Sequence, residues 1–473
     1  MKLVGREDEQ EIFTKAMTSL KSEMIAVIGR RRVGKTFLIR KYFEKDIVFE
    51  FTGLYKGTLT EHTRQFTKAY TKYFKSKDVI QPKNWFDIFD LLETAVEKIN
   101  RKKKKVIFLD ELPWMGGSNS QFIKALSAFW NTWASKREDV VLVISGSSTS
   151  WMVKKIFDDK GGLHNRTTQR IHLKPFNLKE TELFLKYKKC NLERSAIADI
   201  YMVVGGIPYY LEYIEPNESV AQIIDKLFFR KTASLKSEFN ELFNSLFDNS
   251  SLYINIVTIL AKHHYGLQRN QLLKVIKLDS GGNFTKALDD LEKSGFITAY
   301  IPYGNKNKDK RYKLTDLFTL FYLKYVSGNK KSQQWKKIIN TVSWNSWSGF
   351  AFENLCMNHI HQIEKALKID GINTSISSWY NTGNDEMHGA QIDLLIERDD
   401  KIINLCELKY YNDKLVLNKN MVQKIRNKIT AFKHFTATNK TVFPTIISPF
   451  GVYENKYTTE FVQSIVTLND LFK

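Results

Sequence analysis

The sequence predicts an α/β multidomain protein, and three observations carry that reading. At 473 residues the chain exceeds one ordinary core, and about three units are expected. The stretch MIAVIGRRRVGKTFLIRKYF (Met24–Phe43) reads as a short apolar strand, a glycine-bounded loop and a helix. Far downstream, QIDLLIERDDKIINLCELK (Gln391–Lys409) reads as two apolar strands joined by a charged turn, so sheet recurs in a separate unit.

Composition narrows the class. The chain is 43% hydrophobic and 26% charged with only 8 Pro, as in globular proteins. No apolar run approaches the roughly 20 residues that span a bilayer, and MKLVGREDEQ lacks the apolar stretch of a secretion signal. A cytoplasmic, unprocessed protein with no membrane partner is therefore expected. Cys190, Cys356 and Cys406 stand far apart without a C-x-x-C pair, which argues against a zinc ribbon or a disulfide framework. The histidines form no metal-ligand pattern. A net charge of +21 points to a polyanionic partner, nucleic acid ahead of membrane; a merely basic proteome is the alternative.

The first unit is justified by its phosphate loop. Gly29, Gly34, Lys35 and Thr36 fill the pattern G-x-x-x-x-G-K-[ST], with Arg30, Arg31, Arg32 and Val33 between them and Phe37 opening the helix. The glycines let backbone N–H groups turn toward phosphate, beside the positive end of the helix. Lys35 then reaches the β- and γ-phosphates of ATP, and the Thr36 hydroxyl holds Mg²⁺. The buried strand Val106–Leu109 ends in Asp110 and Glu111, and acids at a strand's carboxyl end face the ligand crevice. Asp110 is expected to hold Mg²⁺ through water, and Glu111 to polarise the attacking water. The preceding lysine run reads as a solvated strand entry. A further strand in DVVLVISGSSTSWM leads to Ser147 or Ser148, where a γ-phosphate sensor sits; a plain turn is the alternative. Arg166 is the candidate arginine finger, in cis or from a neighbouring subunit of a homo-oligomer, with Arg170 its competitor and a structural ion pair the alternative for both.

The segments VGRE, GRRRVGKT, FLDELPW, ISGSSTS and GGIPYYL occur in that order. Together they resemble the archaeal-type ATPases of the AAA+ superfamily, in the group related to STAND signalling ATPases. The resemblance implies an ATPase core over 1–175, its phosphate-loop strand in the middle of the sheet, followed by a helical lid over 176–240. Gly205, Gly206, Ile207 and Pro208 would make a helix-to-helix turn in that lid, near the nucleotide.

The middle unit, 241–330, follows from a change of period. SLYINIVTILAKHH places Leu252, Ile256, Ile259 and Leu260 on one helical face, and a third helix after Gly282 turns Phe284, Leu288 and Leu291 inward. Two strands around a loop rich in Gly, Asn and Lys come next. Three helices and a basic hairpin are the order of a winged helix, with 13 Lys and Arg against 6 Asp and Glu over Ser251–Lys330. Lys306, Lys308, Lys310 and Arg311 would meet DNA phosphates, while Asp289, Asp290 and Glu292 on the third helix oppose them. Docking on protein is the alternative.

SGNKKSQQ (Ser327–Gln334) reads as a linker, and 335–473 as the last unit. Its first helix buries Phe352, Leu355, Cys356, His359, Ile360 and Ile363, with Glu353 at the edge of the stripe. Alternation puts Glu407 and Lys409 on one face of a strand, which Asp393 of the paired strand can meet. Two carboxylates and a lysine at a sheet end suit Mg²⁺ and an attacking water. Glu353, Asp393 and Glu407-Leu408-Lys409 resemble the PD-(D/E)-x-K nuclease superfamily, with Ile392 in place of the Pro. That resemblance implies an α/β restriction-endonuclease-like fold, Glu353, Asp393 and Glu407 as metal ligands, Lys409 in catalysis, and Gln423 and Lys424 in a fourth motif. Two functions are expected to compete: an ATP-hydrolysing enzyme acting on nucleic acid, DNA foremost, whose last unit cuts with Mg²⁺, and a nucleotide-controlled switch that binds DNA or protein without cleaving.

Overall fold

Apolar runs that are buried on both faces build the first sheet. In the computed structural model, which describes residues 2–76, 81–117, 121–158, 161–278, 281–328, 335, 338–339, 341–385 and 387–473, the chain divides into two units, Met1–Pro175 and Phe176–Lys473. The first holds β1 (Glu23–Ile28), β2 (Ile47–Thr52), β3 (Lys105–Asp110), β4 (Val140–Gly146) and β5 (Gln169–His172). Their order is β2-β3-β4-β1-β5 and every pair is parallel. β1, β3 and β4 are buried throughout, because helices cover both faces of a parallel sheet. The middle place belongs to β4, the most continuously apolar strand; the phosphate-loop strand β1 lies next to it, inside β5. The register pairs Ile28 with Gly146 and Thr52 with Asp110, so the carboxyl ends of the strands converge.

The lysine run is not solvated throughout. Lys104 and Lys105 are buried: Lys104 donates to Lys21 O, and Lys105 donates to Val96 O at 3.1 Å and pairs with Asp139 at 3.0 Å. The ammonium groups close the amino-terminal edge of the sheet.

The second unit opens with the helices Leu178–Tyr187 and Arg194–Val204. Gly205 ends the latter in the left-handed region at φ 69°, and Pro208 starts the short helix Pro208–Leu211. Three helices follow, Ser250–Leu260, Arg269–Ile276 and Gly282–Lys293. They pack with β6 (Leu267–Gln268), β7 (Ile297–Tyr300) and β8 (Arg311–Leu314), an antiparallel sheet ordered β6-β8-β7. The inward face of Ser250–Leu260 is Tyr253, Ile256, Val257 and Leu260; Leu252 and Ile259 are only half-buried. The Tyr253 hydroxyl turns that face inward by donating to buried Asp290 at 2.7 Å.

Most of the expected linker lies outside the described residues. Just beyond it, Trp335 is fully buried, stacked on Phe229 at 5.5 Å and edge-on to Trp344 at 5.1 Å. The helix Val342–Asn358 then breaks at His359 and resumes as Ile360–Ala366, where one continuous helix was expected. His359 Nε2 accepts the Leu178 N–H at 3.0 Å while Nδ1 donates to Leu355 O at 2.8 Å, and serving both bends the chain.

The last sheet comprises β9 (Thr374–Gly383), β10 (His388–Arg398), β11 (Ile402–Leu408), β12 (Thr441–Ile447) and β13 (Ser464–Val466). Its order is β13-β12-β11-β10-β9, parallel from β11 to β13 and antiparallel from β9 to β11. The register between β9 and β10 slips by one residue between Ile392 and Leu395, a bulge that contains Asp393. The Tyr303 N–H, in the segment between β7 and β8, donates to Ser378 O of β9 at 2.8 Å. No helix of the described residues is long and apolar enough to cross a membrane.

Candidate functional sites: the phosphate loop and a carboxylate–lysine cluster

Backbone geometry sets the phosphate loop. Gly34 has φ 92° and Arg32 φ 76°, so the loop curls before the helix Lys35–Tyr42. At Gly29 a side chain would stand 2.4 Å from Leu173 O, because β5 runs on tightly beside it. Arg6 clamps this loop from outside, its guanidinium donating to Val33 O at 3.3 Å and Lys174 O at 2.8 Å. Its role was not foreseen, although Arg6 lies in the VGRE segment.

Lys35 spends its three protons on Gly29 O at 2.8 Å, Arg30 O at 3.1 Å and Ser147 Oγ at 2.9 Å. Burial pushes its ammonium group down to about 8; Glu111 and Asp110 oppose the shift and Arg31 adds to it. The Thr36 hydroxyl donates to Asp110 Oδ2 at 2.8 Å, and the Ser145 hydroxyl donates to Asp110 Oδ1. Hydroxyl and carboxylate thus stand together as the oxygen donors that Mg²⁺ takes. Glu111 has φ 54°, a left-handed conformation costly for a non-glycine residue. Its carboxylate accepts the Ser147 N–H at 3.0 Å and the Ser147 hydroxyl. Ser147 therefore joins the acid and the lysine, and the serine tract is more than a turn.

The other loop residues divide by exposure. Arg30 and Val33 are buried, Arg31 and Arg32 are half-buried, and Phe37 is exposed. Arg31 lies over the Trp114 ring at 5.8 Å. Arg166 is exposed in the turn ahead of β5, whereas Arg170 is held over Phe157 at 4.4 Å and donates to Thr167 at 3.1 Å.

The second cluster lies at the bulge in β10. The β10–β11 ladder ends with Leu394 facing Cys406, and Asp393 and Glu407 are the residues just past it. Burial and the neighbouring Asp393 push the Glu353 carboxyl up to about 7, against Lys313 and Lys409, so Glu353, Asp393 and Lys409 feel one another. Glu407 looks elsewhere: its oxygens pair with Lys409 and Lys428, each at 2.8 Å. Burial raises the Glu407 carboxyl, and Lys428 and Lys409 outweigh it, leaving it below the usual range. Among the described residues no three His, Cys, Asp or Glu side chains form a set that holds a metal ion. The expected ligands do not form a metal set: Glu353 feels Asp393, while Glu407 is turned to Lys409 and Lys428.

Gln423 and Lys424 are exposed on the helix Lys419–Thr436, and Lys428 makes the contact instead. The signal was available: Ile425, Lys428 and Phe432 keep helical spacing, so Lys428 interrupts an apolar stripe. Of the basic residues in the middle unit, Lys306 and Lys308 are exposed. Arg311 donates to Gly266 O at 3.0 Å, and Lys310 lies 3.8 Å from Glu292.

Residues 3–214 match a family described as an ATPase domain predominantly from Archaea, and residues 320–425 match one described as archaeal and bacterial proteins of unknown function. An uncharacterized protein of Methanocaldococcus jannaschii is 26% identical over 417 residues, 86% of this chain and 87% of its own. The Walker-type ATPase of Pyrococcus abyssi superposes with a TM-score of 0.51 at 16% identity, covering 68% of this chain and 96% of that one. The ORC2 protein of Aeropyrum pernix gives a TM-score of 0.42 at 12% identity, over 68% and 93%. Residues 3–214 match an ATPase domain found predominantly in Archaea, and they bring a lysine, a threonine and two acids to one sheet end: the chain carries an ATP-binding ATPase domain.

Proposed function

We propose that this ATPase acts on DNA, and that 335–473 form a PD-(D/E)-x-K nuclease-like unit. The observation that carries the proposal is the end of the β10–β11 ladder at Leu394 and Cys406, just past which Asp393 and Glu407 follow, with Lys409 two residues on. The electrostatic closeness of Glu353 to Asp393 supports it. Lysines compensate Glu407 and Glu353 in this structure, and Mg²⁺ suits the same all-oxygen set in their place. Glu353, Asp393 and Glu407 would hold it once Glu407 leaves its lysines, and the ion would supply a lowered pKa for bound water. Lys409 then orients that water or offsets the developing charge.

The three helices and the β6-β8-β7 sheet support reading 241–330 as a winged helix, with 176–240 as the lid. Lys306 and Lys308 are its phosphate contacts. In the ATPase core, Thr36 and Asp110 would hold the Mg²⁺ of Mg-ATP, Glu111 would polarise water, and Ser147 would sense the γ-phosphate. Exposed Arg166 serves as the finger in a homo-oligomer, since Arg170 is committed to Phe157.

The test is cleavage of plasmid and linear DNA with Mg²⁺ or Mn²⁺. Glu407→Ala is expected to abolish cutting and spare ATP turnover; undiminished cutting by that variant sinks the assignment. A second reading rests on the two lysines that neutralise Glu407. In it the last unit grips DNA under nucleotide control without cutting, and the wild-type chain cleaves nothing while binding changes with ATP.

A further inference from the structure

A cavity of about 620 Å³ lies within the second unit, bounded by the helices Ser250–Leu260 and Val342–Asn358, by β8 and by the helix Leu317–Phe321. That volume suits a small ligand. Its lining carries Lys262, Lys313 and Lys324 and no carboxylate. Lys313 has Glu353 at 3.7 Å, but among the described residues neither Lys262 nor Lys324 has an acidic partner within ion-pair distance. Three ammonium groups around one hollow repel each other, and an anion between them relieves that repulsion.

One further feature gives the anion a shape. The rings of His264 and Phe350, both in the same wall, stack on each other at 3.7 Å and 8°. Lysines select phosphate, and aromatic rings accept a base.

We propose that this cavity is a nucleotide site separate from the phosphate loop, taking a 5′-phosphorylated nucleotide. The occupant is a free mononucleotide or the terminal nucleotide of a strand. The second source is favoured by Lys313, which joins the cavity wall to Glu353. Occupancy does not depend on whether the neighbouring carboxylates cut.

The test uses the full chain carrying Lys35→Ala, in EDTA. The phosphate loop reads β- and γ-phosphates, so monophosphates leave it aside. Calorimetry follows AMP, adenosine, and an adenine dinucleotide with and without its 5′-phosphate. The phosphorylated probes are expected to bind saturably, and their unphosphorylated counterparts at least tenfold more weakly. Lys262→Gln with Lys324→Gln, both exposed, should weaken phosphorylated probes at least tenfold and leave thermal unfolding unchanged. Tighter binding of the dinucleotide identifies a strand end and tighter binding of AMP a free nucleotide; both support the site. Absence of saturable binding, or affinity indifferent to the double substitution, overturns it. Because binding is read without cleavage, a chain that cuts nothing still answers the question.

Discussion

At the scale of single residues, the phosphate loop separates binding from chemistry. Lys35→Ala should lose nucleotide binding and lower ATP turnover at least ~100-fold, whereas Glu111→Gln should keep binding and lose turnover by about 10²–10⁴. Fluorescent-nucleotide titration beside phosphate release checks the split, and equal behaviour of the two variants refutes it. Lys35 and Thr36 were legible because their spacing is local: they follow Gly29 by six and seven residues. Arg6 was not assigned, since it owes its role to a partner distant in the chain. His359 is the extreme case, 181 residues from the amide that it accepts. Burial pushes its imidazole down to about 4, below the ordinary 6.5. The folded state then binds a proton less readily than the unfolded chain, so its contribution is complete above pH 6.5 and is lost as pH falls toward 4. The loss amounts to about 3 kcal/mol. Urea midpoints of wild type and His359→Gln, compared from pH 7 to 4.5, should show the wild type falling further.

At the scale of elements, two adjacent glycines are not equivalent. Gly205 and Gly206 both have positive φ, but a side chain at Gly206 would stand 2.2 Å from Phe176 O, while one at Gly205 meets nothing nearer than 3.7 Å. Gly205→Ala should cost about 1 kcal/mol in backbone strain, and Gly206→Ala at least ~2 kcal/mol, since Phe176 also donates to Gly206 O. Denaturant unfolding of both variants reads the difference. The turn itself was visible in the sequence, because Gly-Gly before Pro interrupts any helix. Asp393 was visible as a charge inside an apolar strand, but the bulge that accommodates it needs a partner strand and has no local signature. The kink at His359 escaped for the same reason: apolar spacing continues through it, and only packing breaks it.

At the scale of the whole molecule, the charge of +21 makes any DNA affinity a matter of salt. If Lys306 and Lys308 are the phosphate contacts, their joint replacement by Gln should reduce the slope of log affinity against log salt by up to ~2. An unchanged slope would move the contact elsewhere. The aromatic setting of Trp335 was not legible, because it is assembled from segments far apart. The contact between Tyr303 and β9 has a further consequence. β9 is the outermost strand on its side of the sheet and ten residues long, whereas β13 at the opposite border has only three. A long border strand is a template onto which a strand from another chain can add, and such addition propagates into insoluble assemblies. By taking the Ser378 carbonyl with its own N–H and laying its ring against Phe432, Tyr303 occupies that template from within, so the basic hairpin also acts as a guard against aggregation.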